Sequence, residues 1–184
     1  MQATVDIPYL EQRNRGTVAI RLILAIPHFI VLYIFQIGAS VLTFLQWFVC
    51  VITGKRNQGM WNFCNGYLGY ATRVMTYLGL MHDEFPPFGT EPGNVPVRYA
   101  LAFSEPANRL TVGLRIIWMI PAMIIAGVLG LIGEILTIVA WFAIVITGKM
   151  PLGIHSFLVK VHTYTVQANA YGMLLTDTYP AMPS

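Results

Sequence analysis

Two stretches of the chain, 18–52 and 112–146, are apolar at almost every position, and beyond Arg21 and Arg115 they hold a single charge, Glu134. Each runs for about 35 residues, which as one helix would extend about 52 Å, well beyond the ~30 Å hydrocarbon layer of a bilayer. A helical hairpin is therefore expected in each. Gln36-Ile37-Gly38-Ala39-Ser40 supplies turn residues for the first, and Gly127, Gly130, Gly133 and Glu134 supply them for the second. The four expected membrane-embedded arms are 18–35, 41–53, 112–128 and 134–147. Pro27 and Pro121 fall about two turns into the first arm of each hairpin and are expected to kink it.

The pattern changes after each apolar stretch. Thr53-Gly54-Lys55 and Thr147-Gly148-Lys149 read as helix ends, with glycine for a left-handed cap and lysine at the negative end of the dipole. Met60, Phe63, Cys64, Tyr67, Tyr70, Val74, Tyr77 and Met81 then recur at helical spacing, with Asn62, Asn65, Gly69, Thr72, Arg73 and Thr76 on the other side. Ile154, Phe157, Leu158, Val161, Tyr164, Ala168, Tyr171 and Leu175 repeat the stripe, against Ser156, Lys160, Thr163 and Gln167. These amphipathic helices, 59–81 and 153–175, are expected to lie in the membrane interface with their polar backs outward. The competing arrangement sends the first across the bilayer, giving three spans per unit and an inverted repeat. Ahead of each hairpin a period-two alternation (Val5, Ile7, Tyr9; Val97, Tyr99, Leu101, Phe103) predicts short strands that pair with each other.

The two halves are copies. Residues 21–86 align without a gap on residues 115–180, at an offset of 94 (115 − 21), with 21 identities in 66 positions. The match reaches upstream, where Glu11, Asn14, Arg15, Thr17 and Val18 recur as Glu105, Asn108, Arg109, Thr111 and Val112. One unit has been used twice. The predicted organisation is residues 1–88 (hairpin 18–53), a Pro- and Gly-rich linker 89–96, and residues 97–184 (hairpin 112–147), an all-α membrane protein of two tandem repeats.

Composition agrees with membrane embedding: 56% of the chain is hydrophobic and 10% charged, against roughly 25% charged in soluble domains. The polar first 17 residues argue against a cleaved signal peptide. With two hairpins, every Lys and Arg falls on one side and Glu134 is the one charge on the other, so that the positive-inside rule puts both termini in the cytoplasm.

The residue pattern resembles a bacterial membrane family, domain of unknown function 4389. The resemblance rests on Arg115-x5-Pro121, the run Trp141 to Lys149, Pro151-x-Gly153-x3-Phe157 and Leu175-Thr176-Asp177-Thr178-Tyr179-Pro180, on Pro96-Val97-Arg98 at the start of the unit, and on their first-repeat counterparts. Asn57 stands where the family pattern has proline, and Gln167 where repeat one has Arg73. The resemblance implies architecture only, and no particular activity; with the spans and charge placement above, a multi-pass place in the bacterial cytoplasmic (inner) membrane is expected.

Candidate chemistry is sparse. The Gly-Lys pairs lack the other residues of a phosphate-binding loop. His155 and His162 lie two turns apart, too far to share a metal, while His28 and His82 have no partner at metal spacing. Cys50 and Cys64 read as packed thiols. Glu134 is a possible ion site, with an outer turn position as the plainer account. Arg21 with Asp83, and Arg115 with Asp177, are possible structural pairs, snorkelling of the arginines being equally good. Lys55, Arg56, Lys149 and Lys160 are possible headgroup contacts. No enzyme activity, cofactor, metal or nucleic-acid partner is expected. The leading functional expectation is a membrane scaffold or accessory subunit, with membrane lipids and other subunits or further copies as partners; the alternatives are a lipid-organising or curvature-sensing protein and a small channel or transporter component.

Overall fold

A computed structural model describes residues 2–182; Met1, Pro183 and Ser184, the last two closing the second predicted unit, lie outside the described residues. The elements are β1 (Thr4–Asp6), α1 (Arg15–Thr53), α2 (Gln58–Leu78), β2 (Arg98–Ala100), α3 (Arg109–Gly113), α4 (Arg115–Thr147) and α5 (Leu152–Gly172).

The hairpins expected at 18–53 and 112–147 are absent. α1 is one helix of 39 residues and α4 one of 33, about 58 and 50 Å long at 1.5 Å per residue. Both run through their prolines, Pro27 and Pro121. The residues read as turns serve packing instead. Gln36 donates from Nε2 to Ser40 Oγ one turn on (3.2 Å) and accepts from the Tyr67 hydroxyl. A side chain at Gly38 would begin 3.0 Å from the Phe63 ring. Gly133 gives α5 room, its open side facing Leu158 and Val161. A glycine inside a helix costs only ~1 kcal/mol, whereas a turn amid apolar residues strands several backbone groups without partners. Continuity wins.

Gly54 and Gly148 end α1 and α4 in the left-handed conformation (φ 72° and 75°). α2 then folds back along α1, and α5 along α4. Phe63 stacks with Phe35, Tyr70 meets His28, and Tyr77 reaches Arg21. Both returning helices stop a few residues before the expected ends, where Leu80 and Leu174 take φ 61°.

The two halves then embrace. α1 and α4 lie antiparallel: Trp47 Nε1 donates to Val112 O (3.0 Å), and Trp141 Nε1 to Val18 O (3.1 Å). Arg13 N to Gly148 O recurs as Ala107 N to Gly54 O, both 2.9 Å. Each contact in these pairs is the other shifted by the repeat offset with the halves exchanged. β1 pairs antiparallel with β2 in the register Thr4↔Ala100, Val5↔Tyr99, Asp6↔Arg98, centred on the equivalent residues Val5 and Tyr99. A two-fold operation that swaps antiparallel neighbours has its axis normal to their plane, so the molecule is layered along that axis. The α1–α4 pair forms one pole, α2 and α5 the middle, and the strand ribbon, which touches only α2 and α5, the other.

That layering corrects the expectation of outward polar backs. Thr72, Arg73, Thr76, Thr163 and Gln167 are buried: the linker meets Arg73 at Gly89 O and the segment ahead of β1 meets Gln167 at Ala3 O, while Thr76 packs on His82 and Thr72 faces the cleft between α1 and α4. Thr72 and Thr76 satisfy their hydroxyls on the carbonyls of Leu68 (2.7 Å) and Thr72 (2.8 Å).

Candidate functional site

The structure brings the arginine near the start of each long helix to the aspartate that closes its own unit. Arg21 Nη2 lies 2.7 Å from Asp83 Oδ1, and Arg115 Nη2 2.6 Å from Asp177 Oδ1. Both guanidiniums are almost wholly buried and lie over a tyrosine ring of the returning helix, Tyr77 at 4.3 Å and Tyr171 at 3.8 Å. Arg21 Nη1 also donates to the carbonyls of Tyr77, in the last turn of α2 (2.8 Å), and of His82 beyond it (2.9 Å), and Arg115 Nη1 to Thr176 O (3.2 Å). The cation thus sits at the negative end of the helix dipole. Each aspartate uses its second oxygen to accept the backbone N–H of the N-cap at the start of its own unit, Asn14 (2.7 Å) or Asn108 (3.0 Å).

The clamps differ in their second cation. Arg56, expected at headgroups, is instead 4% exposed. It reaches across the halves to Asp177 Oδ1 (2.6 Å), to Leu174 O (2.7 Å) and to Pro106 O. The short loop after Gly54 dives inward there, so a basic residue that looks like a membrane anchor in sequence becomes an interior tie. Its repeat-two counterpart is Met150. At the other clamp Arg13 takes this part, donating to Met81 O (2.6 Å). Burial by itself raises the Asp177 carboxyl; the Asn108 amide and the Arg56 and Arg115 guanidiniums outweigh it and hold the group below the usual carboxylate range.

Lys55 pairs with Glu105 (3.2 Å) and Lys149 with Glu11 (2.8 Å), both on the surface. Lys160 is exposed on α5. The lysine pairs stand at opposite ends of the α1–α4 pair. Glu134 is not in a turn. It lies mid-way along α4 beside a largely apolar cleft of about 560 Å³ between α1 and α4, lined also by Leu22, Phe29, Met75 and His162.

The histidines are dispersed. His28 Nδ1 meets the Tyr70 hydroxyl (2.7 Å). His155 packs edge-on against Tyr9. His82 is fully buried; desolvation pulls it from 6.5 down to about 4, against the opposing pull of the Arg73 carbonyl and Glu84. Among the described residues no three His, Cys, Asp or Glu side chains gather as a metal site would need.

The outer surface of α1 and α4 is apolar along most of its length, interrupted mid-way by the exposed Gln36 and Ser40 on α1 and Glu134 on α4. Leu22, Ile30, Ile34, Phe44 and Ile52 on α1, and Ile116, Ile124, Leu131, Ile138 and Ile146 on α4, are all exposed. An apolar face of this size is unusual for a monomer in water. Both helices are long and apolar enough to cross a membrane.

These features define a class, a helical protein of two tandem units carrying two long apolar helices. The chain belongs to the family described as domain of unknown function (DUF4389), whose profile matches it twice, over residues 15–89 and 109–182. No curated protein and no solved structure matches.

Sequence reasoning paired the arginines with the right aspartates because the offset marked both members of each pair. It missed Arg13, Arg56 and Arg73 as interior residues, since the offset links none of them to a basic counterpart.

Proposed function

We propose that the protein is a non-enzymatic membrane scaffold that lies in the plane of the bilayer, with the α1–α4 pair sunk into one leaflet and the strand ribbon in water. The observation that carries this reading is the largely apolar face of two antiparallel helices, with Glu134 as its one charge away from the ends, whose ends are equivalent and charged at both extremes.

Helices of about 58 and 50 Å overshoot a ~30 Å hydrocarbon layer. Set upright, they would hold the ribbon at mid-depth, with the charges of Asp6 and Arg98 against lipid. Each such charge costs ~2.5–3.5 kcal/mol at the bilayer centre. Lying flat, the pair faces lipid along its length, α2 and α5 sit at headgroup level, and the ribbon meets water. All the basic residues then lie on one side, as the positive-inside rule favours for the cytoplasm of a bacterial inner membrane, and the surface lysines at the ends of the pair reach headgroups.

Insertion into one leaflet favours lipid organisation as the scaffold's way of working, because it displaces lipid on one side alone. The partners on this reading are membrane lipids and other membrane subunits or further copies, docked along the apolar pair.

Depth measurement decides the orientation. Spin labels at Ile23, Ile30, Ile37 and Phe44 are expected at one common depth. A profile deepest at Ile30 and Ile37 and shallow at both ends would mean crossing helices and overturn the in-plane reading. Cysteines at Thr17 and Thr111, at opposite ends of the pair, are expected to react with an impermeant reagent from the same side.

A further inference from the structure

The ribbon side of α2 holds a second kind of cavity. Its volume is about 450 Å³, and Asn65, Gly69, Arg73, Thr90, Arg98 and Tyr99 are among its walls. Among the described residues the lining contains two guanidiniums and no carboxylate.

Arg73 is the informative residue. It is 5% exposed, yet it makes no ion pair among the described residues, whereas Arg21, Arg56 and Arg115 each reach an aspartate within 2.7 Å. Nη2 donates to Gly89 O (2.8 Å), and Nε is buried without a partner. A buried cation with one hydrogen bond, no ion-paired carboxylate among the described residues and a polar cavity beside it is expensive unless something anionic enters. Burial lowers its pKa, with Tyr70 and the exposed Glu91 opposing only in part.

The other half of the molecule supplies the comparison. The repeat-two counterpart of Arg73 is Gln167, which the protein's own atoms satisfy. It accepts from Gln2 Nε2 (2.8 Å) and the Ala181 amide (3.2 Å) and donates to Ala3 O (3.2 Å). The guanidinium and the open cavity therefore occur together on one side of the pseudo-symmetric molecule, while the neutral amide and its filled surroundings occur on the other.

The remaining walls suit an oxyanion. The Tyr99 hydroxyl donates to Asn65 Oδ1 (2.7 Å), which turns the Asn65 amide nitrogen into a free donor. Arg98 is exposed at the rim, where its fork meets an incoming ligand. Gly93 (φ 62°) is packed so closely on Pro87 that a side chain there would start 2.3 Å from the proline ring, so the linker arch above the cavity is tightly folded. Guanidiniums bind phosphoryl oxygens through paired N–H donors. Val95, Val97 and the Tyr99 ring also line the cavity and give an organic substituent an apolar wall.

We propose that this cavity binds a phosphate monoester, its phosphoryl group held between Arg73 and Arg98 with the Asn65 amide as a third donor. The site faces away from the α1–α4 pair, and the proposal does not depend on how that pair sits in the bilayer.

The test uses the full chain in nanodiscs of zwitterionic lipid, titrated with glycerol phosphate against chloride at matched ionic strength, with phosphorus NMR line width and thermal midpoint as readouts. Saturable binding is expected. Arg73→Gln, which installs the side chain that repeat two carries, is expected to weaken it at least tenfold, as is Arg98→Gln at the exposed rim. Lys160→Gln should leave it unchanged. A second set of nanodiscs containing phosphatidic acid separates the sources. An Arg73-dependent response to glycerol phosphate assigns a soluble ester, and one seen only with phosphatidic acid assigns a lipid headgroup; either supports the phosphoryl site. No response beyond chloride in both sets, or full affinity in a folded Arg73→Gln or Arg98→Gln protein, overturns it.

Discussion

Removing the Asp177 carboxylate tests how the two units are held closed. That one oxygen, Oδ1, lies 2.6 Å from both Arg56 and Arg115, whose side chains are 1% and 3% exposed, while Asp177 itself is 28% exposed. Asp177→Ala leaves two buried guanidiniums without a counter-charge and the Asn108 amide without its acceptor. Breaking a buried pair costs ~3–5 kcal/mol. The carbonyls of Leu174 and Thr176 still accept from these arginines, and water reaches the aspartate's open side, so about 3 kcal/mol is expected. Asp83→Ala, which frees one directly paired guanidinium, should cost about 2 kcal/mol by the same reasoning. The assay is reversible unfolding in detergent followed by tryptophan fluorescence, with a double-mutant cycle between Arg56 and Asp177. Exchanging the charges as Arg115→Asp with Asp177→Arg looks restorative in sequence, but the structure sets the new arginine against Arg56. It should therefore be no more stable than Asp177→Ala. A loss under 1 kcal/mol for Asp177→Ala, or full recovery in the exchange, would refute the shared-carboxylate account.

Further expectations concern pH, helix continuity and packing. His82 is neutral and buried, with its folded pKa lowered to about 4 from 6.5, so the unfolded chain binds the proton first. Its contribution is complete above pH 6.5 and is lost as pH falls toward 4, about 3 kcal/mol in all at 1.36 kcal/mol per unit; His82→Gln should flatten that limb of the stability–pH curve. Gly127 lies inside α4 with nothing within 4 Å of an added Cβ, so Gly127→Ala should stabilise by about 0.5–1 kcal/mol, whereas a loss of stability would argue for a turn there. Gly133→Leu presses on Leu158 and Val161 and should cost about 1–3 kcal/mol, measured by the same unfolding titration.

The repeat was legible because it is a relation between residues in one chain. Its offset linked Arg21 to Asp83 and Arg115 to Asp177 as equivalent pairs, and it carried the strand alternation and the glycine helix ends from one half to the other. The reading of Gln36–Ser40 and of Gly127–Glu134 as turns went wrong for a physical reason. Small and polar residues in an apolar run serve equally well to bend a chain or to let a second helix approach, and local sequence does not distinguish the two uses. Only the packed position of Phe63 against Gly38, and of Leu158 and Val161 against Gly133, decides between them.

What the sequence by itself determined is the duplication, the apolar and amphipathic character of each segment, and the partners joined by the repeat offset. The tertiary structure decided what covers each surface. Basic residues that look alike in sequence end as a surface pair at Lys55, an interior tie at Arg56 and a cavity wall without an ion pair at Arg73. The cost of a charge is set by its surroundings, and those surroundings are built by segments distant in the chain.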